Sequence, residues 1–385
     1  MTTSLQRRRY LQYGLQGLLG LGTLSSADWL QAQERRAIVL GQSAPLTGPA
    51  SQLGLQMQAG AKLFFDALNS SGGVGGLPVV LRTMDDGYEP ERCKANTEKF
   101  INDEVFALFG YVGTPTSLAA LPLVNQHKIP FFAPLTGAQS LRDPFSRWVF
   151  HLRASYFDET ALIVNQLTQL GLKRISVFHQ NDAYGQAGLS GVQRALKTQN
   201  LDPLAVATVE RNSVDVAKAV KALVQGQHPD GIVMVSAYKS CAAFIREARK
   251  AGYGGVFYNV SFVGTQALSD ELGKDAAGVV VSQVVPYPMG QATGVVAEYQ
   301  AALQKAGGDG KPNYTAMEGY LAAKVFTEGL RRMGAKPSRE SLVNALEGMR
   351  DFNAGGFRVK FTPQDHVGSN FVELSMLTGD GRVKR

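Results

Sequence analysis

A chain of 385 residues is too long for one ordinary domain and long enough for two, each with its own core. At 44% hydrophobic and 18% charged residues it has the composition of an ordinary soluble globular protein. The formal net charge of +7 is mild, and no Lys/Arg run after the first few dozen residues marks a nucleic-acid surface, so nucleic acid is set aside as a partner.

The first 32 residues read as a leader. Arg7-Arg8-Arg9-Tyr10-Leu11-Gln12 precedes a weakly hydrophobic, glycine-spaced run from Tyr13 to Leu24 and a small-residue region ending near Ala32. A positive start, a short apolar run and a small residue before cleavage describe a secretory signal, and the run is too short and polar to span a bilayer. Adjacent arginines followed by an aromatic residue and leucine resemble the twin-arginine export signal, so the expected location is the periplasm. Arg7, Arg8, Arg9 and Asp28 carry a net +2 away with the leader and leave the rest at +5. The two cysteines, Cys93 and Cys241, fall on predicted helices in different halves, and two buried unpaired thiols are expected.

From Ala37 onward strands and helices alternate. The pattern predicts a strand from Ile38 to Gly41, then a breaker-rich loop, Gln42-Ser-Ala-Pro-Leu-Thr-Gly-Pro49, and a helix with Met57, Gly60, Ala61, Phe64 and Leu68 on one face. The turn Asn69-Ser-Ser-Gly-Gly-Val-Gly-Gly76 leads into a strand from Val79 to Met84, ended by Asp85 and Asp86, and Pro90 opens the next helix. A strand from Val105 runs into Phe109-Gly-Tyr-Val-Gly-Thr-Pro-Thr-Ser117, followed by a helix to about His127. Ile129 to Ala133 and Trp148 to Leu152 complete the first set of strands. Single helices between strands imply right-handed crossovers and a parallel sheet. The rhythm restarts at Asp158, with strands predicted at Arg174 to Phe178, Leu204 to Val209, Gly231 to Val235, Val256 to Val260 and Val279 to Ser282. After Val285-Pro-Tyr-Pro288 come helical stretches at about 293–306, 313–333 and 338–349, then Gly355-Gly-Phe-Arg-Val-Lys-Phe-Thr-Pro363. Crossings between two halves are expected near Arg153 to Tyr156 and at these last two proline- and glycine-broken places.

An enzyme needs a nucleophile or an acid/base pair. His127, His151, His179, His228 and His366 have no metal-ligand spacing, no nucleophile elbow or phosphate loop is present, and Gly72 to Gly76 precedes a strand instead of joining a strand to a helix. No catalytic residue, metal or cofactor is assigned. A binding role fits better. Loops at predicted strand ends carry hydroxyls, glycines or phenols at Ser43 to Pro49, Gly113 to Ser117, Pro134 to Ala138, Asn181 to Gly185 and Ser236 to Tyr238. The crevice beyond the carboxyl ends of strands is where open α/β sheets bind ligands, and the backbone N–H groups there suit anions.

At these loops the chain resembles the periplasmic binding proteins of the branched-chain amino acid type, the solute receptors of ABC importers. The likeness is carried by Gly41-Gln-Ser-Ala-Pro-Leu-Thr-Gly48, Asn69 to Gly76, Asp85-Asp86, Gly110 to Thr116, Ile129-Pro-Phe-Phe-Ala-Pro134 and Asp182-Ala-Tyr-Gly185. It implies an α/β fold of two Rossmann-like lobes, each an open, mainly parallel sheet flanked by helices, joined by a three-strand hinge. With the breaks above, lobe 1 takes 37–153 and 288–355, and lobe 2 takes 156–284 and 358–385. The resemblance also implies a monomeric receptor that hands a small carboxylate or amino acid ligand to membrane permease subunits. The alternative is an extracellular sensing module for a separate signalling partner.

By the same resemblance the ligand carboxylate is held by Thr114 and by the loop Leu135, Thr136 and Gly137, with Tyr184 and Tyr238 closing from the second lobe. Gly137 stands where a threonine is usual. Ser261 stands where the family has an acid for the ligand ammonium. Burying an ammonium without its partner costs roughly 3 to 5 kcal/mol, so this serine points to an aliphatic or aromatic acid that lacks the amine, unless Asp182 or another carboxylate takes over. Leu53, Tyr111 and Tyr287 are the expected lining of the apolar end.

Overall fold

The computed structural model describes residues 37–290, 294–307, 310–334 and 337–385. The leader expected over residues 1–32 lies outside them. Among the described residues no helix is long and apolar enough to cross a membrane.

Strands β1 (Ile38–Ala44), β2 (Val79–Asp85), β3 (Ala107–Phe109), β4 (Phe131–Phe132) and β5 (Val149–Phe150) form one parallel sheet in the order β2-β1-β3-β4-β5. The second sheet holds β6 (Ile175–Gln180), β7 (Val206–Val209), β8 (Gly231–Val235), β9 (Val256–Asn259) and β10 (Val280–Gln283), all parallel. After a small antiparallel pair, β11 (Phe352–Asn353) and β12 (Arg358–Val359), the chain adds β13 (Glu373–Leu377) and β14 (Val383–Lys384) antiparallel to the edge of the second sheet. Its order is β14-β13-β10-β9-β8-β6-β7. The chain is thus a mixed α/β protein of two lobes with mainly parallel sheets flanked by helices.

The first lobe is completed by helix Tyr314–Arg332, which lies on helix Ser51–Ser70. Two glycines permit the approach. A Cβ on Gly60 would sit 1.8 Å from the Ala316 carbonyl oxygen, and one on Gly319 would sit 2.3 Å from that of Met57. Asn313 caps the returning helix by accepting from the Ala316 amide at 2.8 Å.

The chain passes from the first sheet to the second between β5 and β6, and after β10 it returns to the helices that pack on the first lobe. The third crossing falls later than expected. Residues 358–368 stay with the first lobe, because Phe361 packs on Phe150 with ring centroids 5.3 Å apart and the Gly368 amide donates to His151 O at 2.7 Å. The chain leaves only after Gly368, so the expected second-lobe segment 358–385 begins about a dozen residues too early. The sequence also conceals helix Thr265–Leu272, which follows the left-handed Gly264, and the hairpin β13–β14. Eight residues after a glycine and a two-residue strand give little periodicity to read. Cys93 and Cys241 are both buried and free.

Candidate functional site

The loops that follow β3 and β4 are tied together at the top of the first sheet. The Leu135 amide donates to Tyr111 O at 2.7 Å, and the Gly113 amide donates to Leu135 O at 3.2 Å. This sets Thr114 Oγ1 2.6 Å from Thr136 Oγ1, and Thr136 Oγ1 also accepts from the Ala138 amide at 3.1 Å. Thr114 and Ser117 begin helix Thr114–His127, and Ser117 Oγ is buried with no partner among the described residues. Gly113 has φ +104, and a Cβ there would lie 2.2 Å from the Tyr88 ring, so only glycine lets that ring reach the loop.

Gly137 has a comparable reason. Its missing side chain leaves room for Tyr156, whose ring carbon Cδ1 would be 2.6 Å from an added Cβ, and the Tyr156 amide donates to Gly137 O at 2.7 Å. Where the family likeness expects a threonine hydroxyl, this chain has the phenol of Tyr156. Tyr156 packs on Tyr184 with ring centroids 5.4 Å apart, Tyr184 on Phe262 at 4.6 Å, and Phe262 on Tyr88 at 5.9 Å. Tyr156 Oη and Tyr184 Oη are buried without hydrogen-bond partners among the described residues. Burial pushes the Tyr156 phenol up to about 12, partly offset by Arg153, and pushes Tyr184 well above its ordinary value. Both therefore keep their protons at neutral pH and can donate, Tyr156 beside Thr136 and Gly137.

Arg153 lies at the first crossing and is 2% exposed. Its Nε sits 2.9 Å from Glu318 Oε1, and its Nη2 donates to Glu318 Oε2 at 3.2 Å and to Ser261 Oγ at 2.6 Å. Burial lowers its pKa, but Glu318 and Glu159 more than offset this and hold the guanidinium charged. Glu159 is itself fully covered. It accepts from the Ser261 amide at 2.7 Å, from Ser261 Oγ at 3.0 Å and from Ser282 Oγ at 2.6 Å. Burial raises both glutamates, while Arg153 pulls them back. Leu53, Leu135, Arg153, Ser261, Phe262 and Glu318 enclose a cavity of about 10 Å³, room for about one water molecule.

The lobes meet around this cluster. Gln180 Nε2 donates to Tyr88 Oη at 3.2 Å, Arg211 Nη2 to Glu89 at 2.9 Å and Asn212 Nδ2 to Glu89 at 2.8 Å, and Gly264 lies against Leu53. Any ligand larger than water enters only by parting these contacts.

Of the residues expected from the sequence, Leu53, Leu135 and Ser261 line this cavity, Thr114, Thr136 and Gly137 lie in the adjoining loops, Tyr184 packs on the lining Phe262, and Tyr238 Oη lies 3.5 Å from the Gln52 amide. Tyr111 is a correction. Its ring turns to the other face of the sheet, onto Phe131 at 4.9 Å, and its hydroxyl pairs with Thr97 Oγ1 at 3.1 Å. Tyr287 is another, since its hydroxyl is held by Val383 O of the terminal strand, and Tyr314 lines the cavity instead. Asp182 does not replace the missing acid. It caps helix Ala183–Lys197 and accepts from Gln180 Nε2 at 2.6 Å. Sequence reasoning missed Arg153, Tyr156, Glu159, Glu318 and Tyr88. Only Tyr156 and Arg153 carried a local signal, as large polar residues at a predicted crossing.

Asp85 and Asp86 look like ordinary turn residues in the sequence, yet they organise the rim. Asp85 accepts from the amides of Leu46, Thr47 and Gly87 and from Thr47 Oγ1 and Arg92, which fixes the loop before helix Ser51–Ser70. Asp86 is buried, accepts from Ser43 Oγ at 2.7 Å and the Tyr88 amide at 2.8 Å, and is pushed up to about 6, chiefly by burial. Because its folded-state pKa is raised above 3.8, the folded state holds this proton more tightly than the unfolded chain, and stability falls as pH rises from about 4 to 6. That shift corresponds to roughly 3 kcal/mol. In Asp86→Asn this component of the pH dependence disappears; urea unfolding of both proteins at pH 4 and pH 7 measures it, and parallel curves would remove Asp86 as its source.

This fold and site place the chain in a known class. The periplasmic binding protein family matches residues 37–381, and the chain belongs to that family. It is 24% identical over 271 residues to the Leu/Ile/Val-binding protein of Citrobacter freundii, covering 70% of this chain and 73% of that one. Among solved structures it resembles a possible leucine/isoleucine/valine-binding protein from Rhodopirellula baltica, with 33% identity, a TM-score of 0.87 and coverage of 91% and 96%. A substrate-binding periplasmic protein from Ralstonia solanacearum matches at 32% identity and a TM-score of 0.85, covering 90% of this chain and 99% of that one. These relatives are named as binding proteins, not enzymes. The chain is a branched-chain amino acid-type periplasmic binding protein of ABC transport.

Proposed function

We propose that this receptor binds a small carboxylic acid without an α-amine between its two lobes and delivers it to the permease of an ABC importer. Its carboxylate is held by Thr114 and Thr136, the Ala138 amide and the phenols of Tyr156 and Tyr184, while Leu53 and Phe262 cover the apolar part. Lobe 1 of this reading takes 37–153 and about 288–368, lobe 2 the remainder. The receptor acts as a monomer, exported by the twin-arginine-like leader and without enzymatic turnover. The observation that carries the reading is the state of the acids around Ser261. Glu318 is paired with Arg153, and Glu159 is surrounded by three donors, so neither offers an ammonium a free carboxylate.

Calorimetric titration of leucine and phenylalanine beside 4-methylpentanoate and 3-phenylpropanoate tests this. The acids are expected to bind at least tenfold tighter than the matching amino acids. Sub-micromolar leucine binding with no binding of its deaminated acid would overturn the reading.

A further inference from the structure

Two nitrogens of the Arg153 guanidinium, Nε and Nη1, make no hydrogen bond among the described residues. Nε is ion-paired with Glu318 Oε1 at 2.9 Å and Nη2 donates to Glu318 and to Ser261 Oγ, so Nη1 is the buried nitrogen with no hydrogen bond to an acid or a hydroxyl among the described residues. An unpaired donor on a charged, buried side chain forfeits an interaction that an acceptor, a water or a ligand atom, would restore. Arg153 shares its cavity with Leu135, the neighbour of Thr136, and with Ser261 and Phe262. The spare donor thus lies beside the place where the carboxylate of the proposed ligand would sit.

The charges nearby decide what kind of acceptor fits. Arg153 is already matched by Glu318, and Glu159 lies behind Ser261, so a second ligand carboxylate would be a buried charge without a counter-ion. An ammonium would meet a guanidinium. Ser261 Oγ offers it little, because that oxygen accepts from Arg153 and gives its proton to Glu159. An uncharged oxygen meets neither objection and accepts from Nη1.

We propose that the natural ligand carries an oxygen acceptor on the carbon next to its carboxylate, as a 2-oxo or 2-hydroxy acid does, and that Arg153 Nη1 donates to it. Arg153 is then the residue that selects this class, with Glu318 and Ser261 holding its guanidinium in place. The inference rests on the carboxylic acid reading above.

The test is calorimetric titration of the intact protein with 4-methyl-2-oxopentanoate, 2-hydroxy-4-methylpentanoate and 4-methylpentanoate, and with the phenylpyruvate, phenyllactate and 3-phenylpropanoate series. At least one 2-oxygenated acid is expected to bind at least tenfold tighter than the plain acid of the same skeleton. In Arg153→Lys, which keeps the charge for Glu318 but loses the fork, that ratio is expected to fall below threefold. Equal binding of plain and oxygenated acids by the unaltered protein overturns this inference and leaves the carboxylic acid reading standing. Binding of amino acids but none of the acids overturns both. The comparison within the unaltered protein decides the matter even if the lysine variant does not fold.

Discussion

Arg153→Met is expected to lower the unfolding free energy by about 3–5 kcal/mol, while Arg153→Met combined with Glu318→Met recovers most of that loss. The single change leaves Glu318 without its counter-ion beside Glu159, in surroundings where Arg153 is 2% and Glu318 4% exposed. The double change removes the charged pair together, and burying apolar side chains of similar length costs far less than burying one unpaired carboxylate. Guanidinium unfolding of the three proteins at pH 7 measures the cycle. A single variant within 1 kcal/mol of the parent would mean that solvent reaches Glu318 and that this crossing is not held by the pair. The pair bridges the first crossing, which carries Arg153, and helix Tyr314–Arg332, which returns from the far end of the sequence. It therefore anchors the hinge side of the cleft to the first lobe.

Tyr184→Phe and Thr114→Val are each expected to weaken the best acid ligand at least tenfold. A hydrogen bond to a charged group contributes about 1.5 to 3 kcal/mol, or roughly ten- to a hundredfold in affinity. The two variants differ in their side effects. Tyr184 Oη has no partner among the described residues, so its loss leaves the melting temperature of the ligand-free protein unchanged or slightly raised. Loss of the Thr114 hydroxyl deprives Thr136 Oγ1 of its 2.6 Å partner and lowers it modestly. Titration calorimetry and thermal unfolding on the same preparations separate the effects. An unchanged Kd for either variant removes that residue from the ligand's grip.

Much of the architecture is local and therefore legible. The alternation of apolar runs with amphipathic stretches, and glycine, proline and aspartate at their ends, placed β1, β2, β6 and β8 and the helices between them to within a few residues. The Thr114 and Thr136 loops were legible because strand ends rich in small hydroxyls stand out, and Ser261 because it departs from a family pattern. What was not legible depends on contacts between distant residues. Tyr111 and Tyr156 are both tyrosines next to loops. One turns to the far face of the sheet because Thr97 and Phe131 receive it there, and the other enters the cleft because Gly137 leaves it space.

The sequence by itself determined two α/β units, a set of polar strand ends and the absence of an acid at position 261, since periodicity and residue chemistry are properties of short segments. Tertiary structure alone decided that Arg153, from the first crossing, and Glu318, some 165 residues later, meet at that position. A buried guanidinium requires a carboxylate within hydrogen-bond reach, and only the packing of the returning helix on the first lobe brings one there. That juxtaposition sets a buried, charged guanidinium against the serine at position 261.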